Sequence, residues 1–179
     1  QFGRGQLIYD ILIIVITREL GPILTALIVT ARSGTAIATE LGNMVINHEV
    51  EAYSVTGINP IQHLVVPRFL GVTISTFLLN LYFNVFGLAG SFVVTQFVNP
   101  VALDEYSTGL LAALSVTDVA ASVVKSLVFG AITSLVATFY GLKVERSSTE
   151  IPVAAIRSVG RGITLLIVAN AVITLAYYL

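Results

Sequence analysis

The stretch FLGVTISTFLLNLYFNVFGLAGSFVVTQFV, residues 69–98, holds no Asp, Glu, Lys, Arg or His. About 20 helical residues cross the roughly 30 Å hydrocarbon layer of a bilayer, so this run spans it with room for tilt. Three further apolar runs accompany it. Residues 7–41 are interrupted by Arg18-Glu19 and by Gly21-Pro22, and residues 119–142 carry one charge, Lys125. Residues 162–179 carry none and close on Tyr177-Tyr178, an aromatic pair of the kind that marks a membrane boundary. These runs are apolar all round, whereas barrel strands alternate between lipid-facing and lumen-facing residues. The expected fold is all-α: a polytopic transmembrane helical protein with four spans in this chain.

Composition agrees. Of 179 residues, 56% are hydrophobic and 11% charged, against roughly 25% charged in a soluble domain. The net charge of −1 and the absence of a basic run exclude a nucleic-acid surface. With no Cys, there is no disulfide scaffold, thiolate metal site or thiol nucleophile. His48 and His63 are too few for a His-based metal centre, so neither metal nor catalytic residues are assigned. The opening QFGRGQ has no apolar region behind a basic one and is not a signal peptide. Further sequence is therefore expected upstream.

Pro22 lacks an N–H and disfavours helix at Gly21, so a hinge (a kink or break) is expected at Gly21-Pro22. Residues 7–17 alone are too short to span; residues 20–41 suffice. Charge sets orientation. The connection 99–118 holds Asp104, Glu105 and Asp118 and no Lys or Arg, whereas the next connection holds Lys143, Arg146, Arg157 and Arg161. By the positive-inside rule the latter is cytoplasmic, and counting back so is the polar stretch 42–68.

Within that stretch Met44, Val45, Val50, Tyr53, Val55 and Ile58 recur near a helical period around Asn47, His48, Glu49 and Glu51. Asn47 suits an N-cap, the two Glu a first turn, and Gly57 the position after the helix end. A short helix over residues 47–56 is predicted. It either rests on the headgroups or docks a protein. Its acidic character favours a partner with a basic groove, since surface-seeking helices are usually rich in Lys and Arg.

At this point the residues resemble a known family. RELGPILTALIVTARSGTAIATELGNM (18–44), HEVEAYSVTGINPIQHLVVPR (48–68), SVVKSLVFG (122–130) and YGLKV (140–144) are similar to the MlaE/YrbE permeases of ABC transporters. Those proteins move phospholipids or related lipids together with MCE-domain binding proteins. The resemblance implies one transmembrane permease domain over residues 1–179, part of a five-span permease whose further span lies upstream, working as a homodimer in the bacterial inner membrane. It also implies a separate ATPase subunit that binds ATP and Mg, and phospholipid as the substrate. The segment matching the family's coupling helix is Asn47, His48, Glu49, Val50, Glu51, Ala52 and Tyr53. The family commonly has Thr-Glu-Gln-Ile-Asp-Ala-Leu there, so His48 replaces a Glu and Glu49 a Gln. Asn170 stands where many members have Asp, and no ionisable role is carried over to it. No cofactor is expected in this chain, which lacks a G-x-x-x-x-G-K-[ST] run.

Charges within apolar spans are functional-site hypotheses by default. Arg18 and Glu19 either gate the lipid path or snorkel to the interface. Lys125 either snorkels or contacts a lipid phosphate or an acidic group such as Glu19. Arg157 matches a family Arg at the start of the last span. Its counter-anion would be a headgroup, Glu40 or an ATPase residue, with simple anchoring of Arg157 and Arg161 as the plainer alternative. The small residues Ala26, Ala31, Ser33, Gly34, Ala36 and Ala38 in the first span, and Gly87, Gly90 and Ser91 in the second, predict close helix packing. Two rival functions are an intramembrane lipid-modifying enzyme and a non-transporting scaffold. The enzyme would require a clustered His/Asp or metal-ligating set.

Overall fold

The computed structural model describes residues 11, 13–98, 102–145 and 147–178, and every regular element among them is helical. Helix α1 runs unbroken through π-helical Ile13–Leu20, α-helical Gly21–Val29, π-helical Thr30–Gly34 and α-helical Thr35–Ile46. Helix α2 is Glu49–Val55. Helix α3 joins a π-helical turn, Ile61–Val65, to Val66–Val98, and α4 is Leu103–Ala113. Helices α5 and α6 are Val116–Leu142 and Glu150–Tyr178. Four of these, α1, α3, α5 and α6, are long and apolar enough to cross a membrane.

Helices α1 and α5 form the buried centre of the bundle, and α3 and α6 flank them with most of their surface outward. Ala26 of α1, Phe129 of α5 and Leu166 of α6 meet in a fully buried cluster. Closer to α2, Val29, Ile37, Leu41 and Ala137 pack with Leu64 and Val72. In lipid there is little hydrophobic drive between helices, so close backbone approach must supply the cohesion. The expected small residues do so selectively. Ala26, Gly34 and Ala38 are buried, whereas Ala31 and Ala36 face outward. A Cβ at Gly141 of α5 would lie 2.9 Å from the Ala38 carbonyl oxygen, which leaves no room for a side chain. Thr30 and Thr133 join the same two helices by a 2.7 Å hydroxyl hydrogen bond. In α3, Gly87 approaches Ile16 but Gly90 meets nothing within 4 Å.

Several boundaries differ from the sequence expectation. Helix α1 is not broken at Gly21-Pro22; the backbone passes there from π to α geometry. Helix α3 starts at Ile61 rather than at residue 69, and α5 at Val116 rather than at 119. Helix α6 starts at Glu150 rather than at residue 162, so Arg157 and Arg161 lie inside it. Hydropathy finds where a helix meets lipid, whereas caps and packing decide where it ends. Ser115 illustrates this: its Oγ accepts the Asp118 backbone N–H at 3.2 Å and starts α5 ahead of the apolar run. Helix α4 lies within the stretch read as a plain connection. It is anchored by Tyr106, whose buried hydroxyl meets Ser91 Oγ at 2.6 Å and the Leu88 carbonyl at 3.2 Å. The opening QFGRGQ and the start of the 7–41 run lie outside the described residues.

Candidate functional site

Pro22 creates the first element of the site. With no N–H, it leaves the Arg18 carbonyl, one helical turn earlier, without its α-helical donor. Lys125 of α5 supplies a replacement, its Nζ donating to that carbonyl at 3.1 Å. The same ammonium donates to Glu19 Oε1 at 2.9 Å and to Thr174 Oγ1 at 2.9 Å, which uses all three of its hydrogens. Lys125 is only 1% exposed, so it does not snorkel; it is enclosed by the residues it binds. Glu19 completes the link to α6, accepting from Asn170 Nδ2 and Thr174 Oγ1, each at 3.3 Å. Unlike Lys125, the Glu19 side chain keeps 31% of its surface accessible, which leaves one edge of the cluster reachable from outside.

Arg18 extends the cluster. Its Nη1 lies 3.6 Å from Asp118 Oδ1 and its Nε 4.0 Å from Glu19 Oε1. Its guanidinium stacks 3.9 Å from the centre of the Tyr177 ring, and the Tyr177 hydroxyl donates to Asp118 Oδ1 at 3.3 Å. Two cations and two anions therefore meet at one end of the bundle and balance, which is how a low-dielectric interior tolerates them. Beneath them Asn80 and Asn84 of α3 both donate to Ser122 Oγ, at 2.9 and 3.2 Å. Their amide oxygens crowd Gly21, where a Cβ would lie 2.6 Å from Asn84 Oδ1. The Gly-Pro pair is thus clamped by α3 and α5 rather than left free.

The opposite end carries α2. Asn47 does not cap it: Asn47 closes α1, and its Nδ2 reaches Glu49 Oε1 at 3.5 Å. His48 holds the N-cap position in the left-handed region at φ 59°, and its Nδ1 lies 3.1 Å from Glu51 Oε2. Gly57 does follow the helix end, at φ 80°. The Ile58 N–H reaches the Tyr53 carbonyl and the Gly57 N–H that of Ser54, a Schellman closure. No residue of α2 is buried. Val50 and Tyr53 rest against the core cluster, while Glu49, Glu51, Ala52 and Val55 face outward. On either side, Arg68 of α3 braces α1 by donating to Glu40 Oε1 at 2.8 Å.

Arg157 joins neither group. It lies about two turns inside α6, so the expected conflict with the helix dipole at its N-terminus does not arise. It faces a surface pocket shared with Tyr140, Lys143, Glu145 and Glu150, while Glu40 is taken by Arg68. Sequence reasoning passed over Asp118, Thr174, Asn80 and Asn84. The available signals were the Ser115-x-x-Asp118 spacing and the i, i+4 amide pair within an otherwise apolar span. Among the described residues no group of three or more His, Cys, Asp or Glu could hold a metal.

Four membrane-length helices, with charges buried only as balanced partners among the described residues, define a multi-pass α-helical membrane protein. Residues 1–176 match the family described as permease MlaE, and the chain belongs to it. It is similar to a probable ABC transporter permease protein of Rickettsia typhi, 30% identical over 97% of this chain and 67% of the relative. It is also 30% identical to the chloroplastic protein TRIGALACTOSYLDIACYLGLYCEROL 1 of Arabidopsis thaliana, over 79% of this chain and 41% of that one. A probable ABC transporter permease protein of Synechocystis is 30% identical over 79% of this chain and 54% of its own length. The protein is a membrane transport subunit of the ABC permease type, a class that in general works with an ATPase.

Proposed function

We propose that this permease moves phospholipid or a related lipid across or out of a bacterial inner membrane. In this reading two copies enclose an apolar cavity that exchanges lipid with an MCE-domain binding protein. A separate ATPase subunit, carrying ATP and Mg, docks on α2 from the cytoplasmic side. The observation that carries the reading is the mounting of α2, held by Val50 and Tyr53 with its acidic face exposed between two membrane-length helices.

Motion of the ATPase would then move α2 as a rigid lever. The force reaches α1 beyond Glu40 and α3 beyond Arg68, which their ion pair couples. At the far end the Arg18–Glu19–Asp118–Lys125 cluster joins α1, α5 and α6, and its exchange of partners opens or closes the lipid path. The chain supplies no bond chemistry. It links a conformational equilibrium to lipid affinity, and each ligand shifts that equilibrium only by its differential affinity for the two states.

The test is Glu51→Lys, which reverses charge on the exposed face of α2. The expected outcome is a folded permease that no longer stimulates its ATPase or transfers lipid. If both complex assembly and lipid transfer persist unchanged, the docking assignment is wrong.

A further inference from the structure

The outer face of the α5–α6 hairpin, at the end of the bundle that carries α2, has features that the lever and the buried cluster leave unused. Two pockets of about 320 and 490 Å³ adjoin there through a shared residue, Tyr140. The pocket nearer the hairpin turn is lined by Lys143, Glu145, Glu150 and Arg157. Its neighbour is lined by Leu135, Val136, Phe139 and Leu165 together with Arg161 and Thr164. Arg157 and Arg161 are one turn apart on α6 and share a face. Lys143 lies on the same side, its Nζ 5.6 Å over the Phe139 ring.

The charges are unevenly engaged. Glu150 Oε2 accepts the Glu145 backbone N–H at 3.1 Å, whereas Arg157, Arg161 and Lys143 form no ion pair with a described residue. Together with Glu145 and Glu150, the described side chains of this surface sum to one net positive charge. From this polar level the groove runs down the helices onto an apolar floor. Leu165 is one turn beyond Arg161, and Leu135 more than one turn from Tyr140 in the same direction, each turn being about 5.4 Å. Phe139, Leu135 and Leu165 are roughly half exposed, at 59, 53 and 46%.

We infer that this groove is a binding site for an anionic phospholipid of the surrounding leaflet, separate from any lipid carried through the protein. A soluble anion has no use for the apolar floor, and a neutral lipid none for three cations without an ion pair among the described residues on one face. An amphiphile with a phosphate head matches both, as basic pockets between membrane helices do elsewhere. The inference rests on the membrane placement of the bundle and is independent of the α2 lever and of transport direction.

The full-length protein, as purified from membranes, is exchanged into nanodiscs of equal dioleoyl-phosphatidylglycerol and dioleoyl-phosphatidylcholine. It is then re-extracted in mild detergent, and the retained lipid is quantified by mass spectrometry. The expected result is several-fold enrichment of phosphatidylglycerol, falling up to about fivefold for each cation removed in Arg157→Gln and Arg161→Gln. Leu165→Trp, which fills the floor and spares the charges, should lower retention, and Glu105→Gln, on the exposed surface of α4, should leave the enrichment intact. Equal retention of the two lipids by the unaltered protein overturns the inference. So does enrichment that survives Arg157→Gln/Arg161→Gln, or displacement of the lipid by millimolar inorganic phosphate. Loss of the ATPase from the Arg157→Gln/Arg161→Gln protein with lipid enrichment unchanged would assign the groove to that subunit instead.

Discussion

The two ends of this bundle handle charge in opposite ways. At one end Lys125 and Arg18 are nearly inaccessible, and Lys125 places every hydrogen on an acceptor from another helix. At the other, Glu49 and Glu51 stand on a seven-residue helix with no buried side chain. A charge that stays in the membrane must be satisfied by its own protein, because the alternative is an unpaired ion in hydrocarbon. A charge held outside is free to serve another molecule. Exposed acidity on a short, lightly seated helix is therefore the feature that points to a partner, and buried ionic pairing points to an internal latch.

The sharpest way to break this contrast is Lys125→Met. It removes the donor to the Pro22-freed carbonyl and leaves Glu19 without its closest cation. Breaking such a buried pair costs about 3 kcal/mol or more, read as a large drop in thermal stability of the detergent-solubilised protein. Lys125→Met/Glu19→Gln should recover much of that loss, because the uncompensated carboxylate goes with it. If Lys125→Met is neutral, the latch does not exist.

The middle of the bundle must be tight for one end to influence the other. Gly141→Ala forces a methyl against the Ala38 backbone and should cost about 1–3 kcal/mol. Gly90→Ala, which meets nothing within 4 Å, should be neutral or slightly stabilising in the same melt. Equal behaviour of the two variants would contradict the packing of α1 on α5.

Much of this was legible in the sequence. Four apolar runs mark the four long helices, and the sequence already offers Glu19 as an acidic partner for Lys125. The π-helical segments of α1 carry no sequence signature, so Gly21-Pro22 reads as a kink or break, whereas the helix runs on there and a lysine from another helix takes up the freed carbonyl. Asp118 was counted as a loop charge because its capping by Ser115 is local, while its pairing with Arg18 spans the chain. Helix α4 escaped notice because its order depends on Tyr106 reaching Ser91, a contact no periodicity reveals. The start of α6 was misplaced because charged residues end a hydropathy window without ending a helix.

At the α2 end the effects should fall on function and spare stability. Glu51→Lys should lower nucleotide-dependent lipid transfer at least about tenfold, or about 1.4 kcal/mol, with an unchanged melting temperature. The smallest effect is expected of Glu40→Gln. That pair with Arg68 has a carboxylate side chain 61% exposed, so its stability contribution is about 0.2–1 kcal/mol. A transfer defect exceeding that change would mark the brace as part of the lever.

The most direct measurement uses the absence of cysteine from this chain and the 88% exposure of Val55 on α2. Val55→Cys is treated with a membrane-impermeant maleimide in intact cells and in inside-out vesicles. It is then cross-linked in purified complexes. Labelling confined to inside-out vesicles, together with a cross-link to the ATPase subunit that shields the thiol, is the predicted result. Labelling from outside intact cells, or a thiol that stays open when the ATPase is bound, would contradict the account.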